Sequence, residues 1–269
     1  MELLRIDQER CVKCGICSKV CPMLLIGMTD LGPVPAHTNC IACGHCVAAC
    51  PHDTLDHAKA PLSKQVQKTE AVLEPGVAEQ FLRSRRSIRN YGEQKVPHDI
   101  MEKLLHIARF APTGGNSQGL SYVVVEDPSK LTKVTECVIC WMEEQIAQGL
   151  TQNNYIAGTL DMYRKTGYDI ILRNAPNLIV AFGSVSNPQL AYSNARYTLE
   201  YVELYATSLG LGTCWAGLVE MCAMSGYQPL LELLKVGPEK CIAGVMMAGY
   251  PKYTYKRLVD REPLSISWL

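Results

Sequence analysis

Residues 11–22 read CVKCGICSKVCP, and residues 40–51 read CIACGHCVAACP. Each cysteine of the second stretch lies 29 residues after its counterpart in the first, and Gly44 and Pro51 keep the same offset from Gly15 and Pro22. Self-similarity at a fixed offset indicates an internal repeat. Residues 1–58 are therefore predicted to form one small domain with two similar halves.

Each stretch has the spacing C-x2-C-x2-C-x3-C-P, which resembles that of the two-cluster bacterial ferredoxins. In that pattern three close cysteines bind one 4Fe-4S cluster and the fourth cysteine binds the other cluster. The sequence therefore predicts two 4Fe-4S clusters. The predicted ligands are Cys11, Cys14, Cys17 and Cys50 for cluster I, and Cys40, Cys43, Cys46 and Cys21 for cluster II.

Other uses of these residues are possible in principle. A structural zinc ion takes four ligands in two separated pairs, whereas this sequence has two complete sets of four, each followed by proline. Since cysteine fills every ligand position, the nearby histidines are expected to face solvent or to form hydrogen bonds beside a cluster: His37, His45, His52 and His57. The later cysteines are expected to be buried thiols rather than a third site: Cys137, Cys140, Cys214, Cys222 and Cys241.

The bulk composition excludes several classes of protein. With 269 residues, of which 48% are hydrophobic, the chain can bury the core of one large or two smaller domains. Its 26 basic residues equal its 26 acidic ones, so no net charge draws it to nucleic acid or to a membrane. The apolar runs are shorter than the ~20 residues of a membrane span, and no export signal is recognised. A cytoplasmic protein with reduced or metal-bound cysteines is expected.

Beyond the cysteine repeat the sequence changes character. Residues 59–75 are polar and lack apolar periodicity, which indicates a linker. Residues 76–269 are predicted to form a second domain, with an amphipathic helix that begins at Pro97 and a long helix over 188–209. Short β-rich runs predict buried strands at 121–126, 178–182 and 242–247. Helices around a sheet of short strands indicate an α+β domain.

Three polar segments of the second domain are suited to a phosphate and a flat heterocycle. Residues 83–89 contain four arginines beside serines, which suits a phosphate monoester and equally suits a solvated helix end. Residues 111–118, APTGGNSQ, and 210–217, GLGTCWAG, are glycine-rich turns whose amides can contact a ring edge. Neither turn has the setting of a dinucleotide fingerprint or a P-loop.

Taken in order, four motifs resemble the FMN-dependent nitroreductase family over residues 76–269. They are RRSIRNY at 85–91, PTGGNSQ at 112–118, GLGTCWAG at 210–217, and GYP at 249–251 followed by REP at 261–263. The resemblance implies an FMN domain with a central sheet flanked by helices, and a homodimer with the flavin at its interface. The expected fold class is therefore α+β, a small ferredoxin-like two-cluster domain followed by a nitroreductase-like domain.

The resemblance also implies roles for individual residues. Arg85, Arg86 and Ser87 would hold the FMN phosphate and ribityl chain, and Arg89 would approach the pyrimidine edge of the flavin. The remaining cofactor contacts would come from Asn116, Gln118, Trp215, Ala216, Gly217 and Arg261, with the backbone of Ala216 and Gly217 near flavin N5 and Arg261 near the phosphate.

The sequence departs from the family at two places. Val259 stands where the family often has a lysine, with Arg257 as a possible replacement. Gly119 and Leu120 stand where the family commonly has a Pro-Trp pair, which affects the substrate pocket.

The implied function is that of a flavin-dependent oxidoreductase. Electrons from a ferredoxin-type protein or NAD(P)H would pass through two 4Fe-4S clusters to FMN and on to a small molecule, namely a nitro compound, a quinone or an activated alkene. Two alternatives stay open: an electron-transfer or redox-sensing protein without substrate turnover, and another FMN reaction such as reductive dehalogenation. No side chain is assigned a catalytic role, since the cofactor carries the hydride. No nucleic-acid or membrane partner is expected.

Overall fold

The computed structural model describes residues 3–69, 73–150 and 154–269, and the chain folds as two units. The first unit comprises the described residues up to 69 together with Gly115–Ser117, and the second comprises Leu73–Gly114 and Gln118–Leu269. Residues 70–72 of the predicted linker lie outside the described residues. The sequence did not indicate that residues 115–117 belong to the first unit, and the division into 1–58, 59–75 and 76–269 stays a prediction.

The elements of the first unit repeat in the same way as its cysteines. In chain order they are β1 (Leu4–Ile6), α1 (Ile16–Lys19), β2 (Ile26–Thr29), β3 (Gly32–Pro35), α2 (His45–Ala48) and β4 (Leu55–His57). Both α2 and β4 begin 29 residues after α1 and β2, respectively. The pairs β1–β4 and β2–β3 are antiparallel, so each half of the repeat supplies one strand to each two-stranded sheet.

The two halves also share a backbone feature before each short helix. Gly15 and Gly44 have φ angles of 75° and 73°, a region in which a residue with a Cβ atom is strained. The apolar core of the unit is small and centres on Leu4, Leu25 and Leu55. Domains below about 70–80 residues often combine such a core with a metal site or disulfides.

The second unit is larger and mixes helices with one sheet. Its elements are α3 (Pro75–Ser84), α4 (His98–His106), β5 (Ser121–Val125), α5 (Pro128–Ala147), α6 (Asn154–Thr166), β6 (Asn177–Ser184), α7 (Pro188–Ser208), β7 (Gly212–Trp215), α8 (Gly217–Met224), α9 (Gln228–Leu233) and β8 (Lys240–Gly249). The helices and strands predicted from apolar spacing are present, with bounds that differ by a few residues. The segment GLGTCWAG is not only a turn, because β7 lies within it.

The sheet has the order β5-β6-β8-β7, with antiparallel neighbours throughout. Successive side chains of β6 alternate between two cores. Leu178, Val180 and Phe182 pack in the core formed with α5 and α8, whereas Ile179 and Ala181 pack in the core formed with α4 and α7. A strand that is covered on both faces reads as a continuous apolar run, which explains residues 178–182. The central sheet flanked by helices confirms the predicted α+β fold.

Candidate cofactor sites

Four cysteines of the first unit surround one small cavity. Cys11, Cys14, Cys17 and Cys50 line it, and Met28 forms part of its wall. Burial raises the pKa of the Cys17 thiol, and the nearby Cys14 and Cys11 sulfurs raise it further. Three of these cysteines come from the first motif and the fourth from the second, which is the combination that the sequence predicts for cluster I.

The second group of cysteines is likewise mixed between the two motifs. Burial raises the pKa of Cys46 to about 11, and the charges of Cys21 and Cys43 add to this effect. Cys21 therefore lies beside cysteines of the second motif. In the described part of the chain, no group of His, Cys, Asp or Glu side chains is arranged around a single metal ion. Two groups of soft thiolate ligands fit the chemistry of iron–sulfur clusters.

Several groups hydrogen-bond to the cysteine sulfurs. The backbone N–H groups of Ala42 and Thr54 donate to the sulfurs of Cys40 and Cys50, over 3.3 Å and 3.4 Å. The Thr54 hydroxyl also lies 3.3 Å from the Cys50 sulfur. Burial acts to raise the pKa of Cys50, but the hydrogen bonds from Thr54 oppose burial, and the pKa is lowered. A neutral side-chain donor thus stabilises the Cys50 thiolate.

The histidines near the motifs differ in their surroundings. His37, His45 and His52 are exposed, whereas His57 is buried and its Nε2 atom lies 3.3 Å from the Cys40 sulfur. Burial lowers the pKa of His57, with a further lowering by Lys59. Both expected situations, exposure to solvent and hydrogen bonding beside a cluster position, therefore occur.

The later cysteines only partly match the expectation of buried thiols. Cys214 and Cys222 are buried, and burial raises the pKa of Cys222 to about 12. Cys137 and Cys241 are half-buried, whereas Cys140 is exposed on α5 and contradicts the expectation. On α5, the neighbours Val138, Ile139, Trp141 and Met142 fill the core, and Cys140 is not among the buried residues of the helix.

In the second unit, the arginine-rich segment lies against β7. Ile88 N–H donates to the Thr213 carbonyl over 2.8 Å, and Ser87 forms a parallel bridge with Thr213. This approach requires a glycine on β7, because a Cβ atom on Gly212 would lie 2.4 Å from Cγ1 of Ile88. Two motifs that are far apart in sequence, RRSIRNY and GLGTCWAG, are thus joined by backbone pairing.

A cavity of about 400 Å³ lies beside this pairing, and Arg85, Arg86, Glu203 and Tyr255 are among its lining residues. Arg85 Nη1 lies 3.1 Å from the Glu203 carboxylate, which is only 3% exposed. Burial raises the pKa of Glu203, while the Arg85 charge opposes this rise. The Arg86 guanidinium lies 5.6 Å from the centre of the Tyr255 ring. Cationic fork donors on one wall of a cavity suit a phosphate group.

The other side chains of the arginine segment have local contacts. Arg89 Nη1 donates to the Ser87 carbonyl over 3.4 Å. The Ser87 side chain lies near the Cys214 thiol. Burial raises the pKa of Cys214, while the Arg89 charge and the Ser87 side chain oppose the rise. Ser87 and Arg89 therefore lie beside β7, within the same segment as Arg85 and Arg86.

The loop that carries Asn116 and Gln118 is held in a distinct conformation. The φ angles of Asn116 and Gln118 are 52° and 47°, which are uncommon for residues with a side chain. Within the first unit, the Asn116 amide donates to the carbonyls of Ile41 and Ala42 over 2.9 Å and 3.1 Å. These carbonyls belong to the loop between Cys40 and Cys43. Sequence reasoning assigned Asn116 only to the flavin and did not foresee this contact.

The turn at Trp215, Ala216 and Gly217 connects β7 to α8. Ala216 N–H donates to the Val245 carbonyl over 2.9 Å, and α8 begins at Gly217. The Arg196 guanidinium lies 4.2 Å from the centre of the Trp215 ring. The backbone of this turn is therefore fixed by β8, and the Trp215 ring is covered by a cation.

Arg261 lies in an exposed stretch at the end of the described chain. Its backbone N–H and its Nη1 atom both hydrogen-bond to Asp260, its neighbour in sequence. Arg257 and Val259 are exposed as well. The structure does not bring Arg261 into the group formed by Arg85, Arg86 and Glu203, so its predicted phosphate contact stays a prediction.

Comparison with known proteins gives one family for each part of the chain. The model of the nitroreductase family matches residues 82–250. The model of a 4Fe-4S dicluster domain matches residues 3–51. The chain belongs to the nitroreductase family. It is an FMN-dependent oxidoreductase of that family, with a 4Fe-4S dicluster domain at its amino-terminal end.

Individual relatives of this nitroreductase-family chain are distant. A putative NADH dehydrogenase/NAD(P)H nitroreductase of Archaeoglobus fulgidus is 25% identical over 173 residues, which are 63% of this chain and 82% of that protein. An iodotyrosine deiodinase of Haliscomenobacter hydrossis is 25% identical over 175 residues, 64% of this chain and 78% of that protein. A nitroreductase structure from Bacteroides fragilis with bound FMN has a TM-score of 0.58 at 19% identity and covers 71% and 98% of the two chains.

Three charged residues near the predicted flavin contacts were missed by sequence reasoning. Arg196 and Glu203 lie on α7, and Glu220 lies on α8. Glu220 is paired with Arg196 over 2.8 Å and accepts the Val245 N–H over 2.9 Å. A signal for Glu203 was present, because a glutamate within an apolar helical stripe needs a partner when it is buried. Arg196 has no comparable signal.

Among the described residues, no helix combines the length and the apolar character that crossing a bilayer requires.

Proposed function

We propose that this chain carries electrons from an external donor through two 4Fe-4S clusters to FMN, and from there to a small organic acceptor. The observation that carries the proposal is the presence, on one chain of the nitroreductase family, of two groups of cysteines from interlocked motifs. The proposed donor is a ferredoxin-type protein or NAD(P)H. The proposed acceptor is a nitro compound, a quinone or an activated alkene.

The chemistry itself would come from the cofactors, because clusters pass single electrons and FMN can accept electrons singly and release them as a hydride. The contribution of the chain is to bind and to orient. In the proposed assignment, Cys11, Cys14, Cys17 and Cys50 bind cluster I. The proposed ligands of cluster II are Cys40, Cys43, Cys46 and Cys21.

For the flavin, we propose that Arg85, Arg86 and Ser87 bind the phosphate and the ribityl chain. Two observations support this assignment. The guanidinium groups of Arg85 and Arg86 line the same cavity beside β7, and the buried Glu203 carboxylate fixes the orientation of Arg85. A fixed guanidinium loses less conformational entropy when it binds a phosphate.

The ring of the flavin would lie against the turn that follows β7. Arg89, Gln118 and Trp215 are proposed to contact the flavin, and the backbone at Ala216 and Gly217 is proposed to lie near N5. The hydrogen bond from Ala216 N–H to the Val245 carbonyl supports a rigid turn at this position. Asn116 and Arg261 are proposed to complete the contacts with the flavin. The Asn116 amide also donates to the Ile41 and Ala42 carbonyls, and the Arg261 side chain donates to the Asp260 carbonyl.

We also propose that the functional form is a cytoplasmic homodimer. Four apolar side chains in the last six residues are exposed, and Trp268 is 92% exposed. On α7, Tyr197 and Tyr201 are exposed as well. A second copy would remove these apolar surfaces from water. All thirteen cysteines are free of disulfides, which supports a reducing compartment.

The test is an anaerobic purification of the full chain, with iron, sulfide and FMN quantified per chain. About eight irons and one FMN are expected from the proposed assignment. Rapid reduction by a low-potential donor should then bleach the cluster absorbance before or together with the flavin absorbance. A chain with one FMN and no iron would contradict the proposed electron path.

Turnover separates this proposal from a role without substrate. Steady-state consumption of a nitro compound or a quinone by the reduced protein is expected, with product formed in proportion to the electrons supplied. Full reduction and reoxidation of the cofactors without turnover of any acceptor would instead favour an electron-transfer or redox-sensing protein.

A second candidate is reductive dehalogenation. It is favoured by the match to the iodotyrosine deiodinase of Haliscomenobacter hydrossis, which spans 78% of that protein. The same anaerobic preparation, supplied with a halogenated phenol, should release halide if this candidate is correct. Nitro reduction without halide release would favour the first candidate.

A further inference from the structure

The two halves of the first unit differ at a position beside the cysteines that is buried in the second half. His57 is the last residue of β4, pairs with Leu4 on β1 and is 2% exposed. The equivalent residue in the other half, 29 positions earlier, is Met28, which pairs with Pro33 in the same way. Met28 lines the cavity of Cys11, whereas His57 contacts Cys40, the counterpart of Cys11 in the repeat. The repeat therefore places a thioether beside one set of cysteines and an imidazole beside the other.

Hydrogen bonds fix the tautomer of this imidazole. Its Nδ1 atom accepts the backbone N–H groups of Lys59 and Ala60, over 3.0 Å and 3.2 Å. An Nδ1 atom that accepts carries no proton, so the ring proton is on Nε2. The Nε2 atom lies 3.3 Å from the Cys40 sulfur. His57 is thus a neutral N–H donor aimed at a proposed cluster ligand.

A different side chain donates a hydrogen bond to the other set of cysteines. Thr54 Oγ1 lies 3.3 Å from the sulfur of Cys50, and a thiolate sulfur can only accept. The equivalent of Thr54 in the other half is Leu25, which has no side-chain donor. Among the residues that the structure describes, each set of cysteines therefore receives one side-chain hydrogen bond, from residues that the repeat does not relate to each other.

Hydrogen bonds to the sulfur ligands are among the factors that set the reduction potential of an iron–sulfur cluster. The reduced cluster is more negative than the oxidised one, so a donor stabilises it more and raises the potential. We propose that His57 raises the reduction potential of cluster II through Cys40, and that Thr54 independently raises that of cluster I through Cys50. This proposal rests on the proposed binding of two clusters.

The test uses pairs of variants that differ only in the donor. In His57→Asn the side-chain oxygen can still accept near the position of Nδ1, but no donor reaches Cys40. In His57→Gln the amide N–H can occupy the position of Nε2. Thr54→Val removes the hydroxyl at nearly constant volume, and Thr54→Ser keeps it. The midpoint potentials of both clusters are measured by EPR-monitored redox titration of the full chain under anaerobic conditions, with iron counted in every sample.

We expect His57→Asn to shift one midpoint potential to a more negative value and Thr54→Val to shift the other. His57→Gln and Thr54→Ser should stay close to the native values. The proposal is overturned if fully loaded variants show unchanged midpoint potentials. It is also overturned if His57→Asn and Thr54→Val shift the potential of the same cluster, or if His57→Gln shifts the potential as far as His57→Asn does. A native chain that binds fewer than two clusters would instead contradict the proposed function.

A measurement on the native chain covers the case in which His57→Asn fails to bind its clusters. With histidine ¹⁵N-labelled only in the imidazole ring, pulsed EPR of the reduced protein should detect a weak coupling from the ring of one histidine to a cluster. His37, His45 and His52 are exposed and should not contribute. Absence of any ¹⁵N coupling in a fully loaded native sample would contradict the proposed donor at Cys40.

Discussion

The two units of this chain hold their proposed cofactor ligands in different ways. In the first unit, each group of cysteines comes from two motifs that are 29 residues apart and nearly identical in spacing. In the second unit, Arg85 and Glu203, which are more than one hundred residues apart, meet at one cavity, and no repeat relates them. The first site depends on the spacing within two short motifs, whereas the second depends on correct packing of α7 against the segment that follows α3. A substitution at a cysteine should therefore remove one cluster, whereas a substitution at the second site should lower both the stability of the unit and its FMN binding.

The largest effect is expected from replacing the cysteines, which tests which cysteines bind the same cluster. Cys46→Ser should remove one cluster and about half of the iron, because thiolate ligands supply most of the binding free energy. Cys21→Ser should remove the same cluster, although Cys21 belongs to the other motif. Cys17→Ser is the matched control and should remove the other cluster. Iron analysis and EPR spectra would contradict this crossing if Cys21→Ser and Cys17→Ser lost the same signal.

The next effect concerns the buried ion pair of the second unit. Arg85→Ala should lower the free energy of unfolding by about 3 kcal/mol, because it leaves the buried Glu203 carboxylate without its partner. It should also weaken FMN retention. The double variant Arg85→Met with Glu203→Leu should recover most of the stability but not the FMN. Urea unfolding and flavin absorbance after gel filtration separate the two effects.

The same pair predicts a dependence on pH. Burial raises the pKa of Glu203 above its ordinary value of 4.5, so the folded chain holds this proton more tightly than the unfolded chain. Stability from this group is present at low pH and is lost as the pH rises through the raised pKa. Without Arg85 the pKa should rise further, so the stability deficit of Arg85→Ala should be larger at neutral pH than near pH 5. An equal deficit at both values would argue against a buried, unpaired carboxylate.

A steric change tests whether the second site depends on packing. In Gly212→Ala, the new methyl group would meet Ile88, so residues 87 and 88 should be displaced from β7. We expect a loss of about 1–3 kcal/mol, typical of overpacking, together with weaker FMN binding. Full flavin occupancy with a native melting temperature would contradict the pairing of these segments.

The smallest effect is expected from Gly158→Ala, which is the control for Gly212→Ala. Gly158 lies on the exposed side of α6, and a Cβ atom there would meet nothing within 4 Å. Gly158→Ala should therefore stabilise the chain by about 0.5–1 kcal/mol, because alanine has the higher helix propensity. Thermal unfolding checks this value. A loss of stability would show that α6 is not a regular helix at this position.

Particular residues show how far sequence reasoning reached. The long helix α7 was predicted from apolar spacing, and its bounds differ by one residue from the prediction. The strand β7 was missed, because its residues 212–215 lie inside a glycine-rich motif that reads as a turn. Arg196 and its pairing with Glu220 were also missed, since a half-exposed arginine on a helix carries no signal that names its partner.

The amino-acid sequence by itself determined the cysteine spacing, the repeat and the family of the chain, and it predicted which arginines bind a phosphate. Those features depend on covalent order and short-range geometry. The placement of Cys21 beside Cys43 and Cys46 agrees with the crossing that the sequence predicts. Only the tertiary structure decided that Arg85 is held by Glu203, and that His57 rather than its neighbours contacts Cys40. These contacts join residues that are not neighbours in sequence. They exist because packing of the apolar core within each unit fixes where its strands and helices lie.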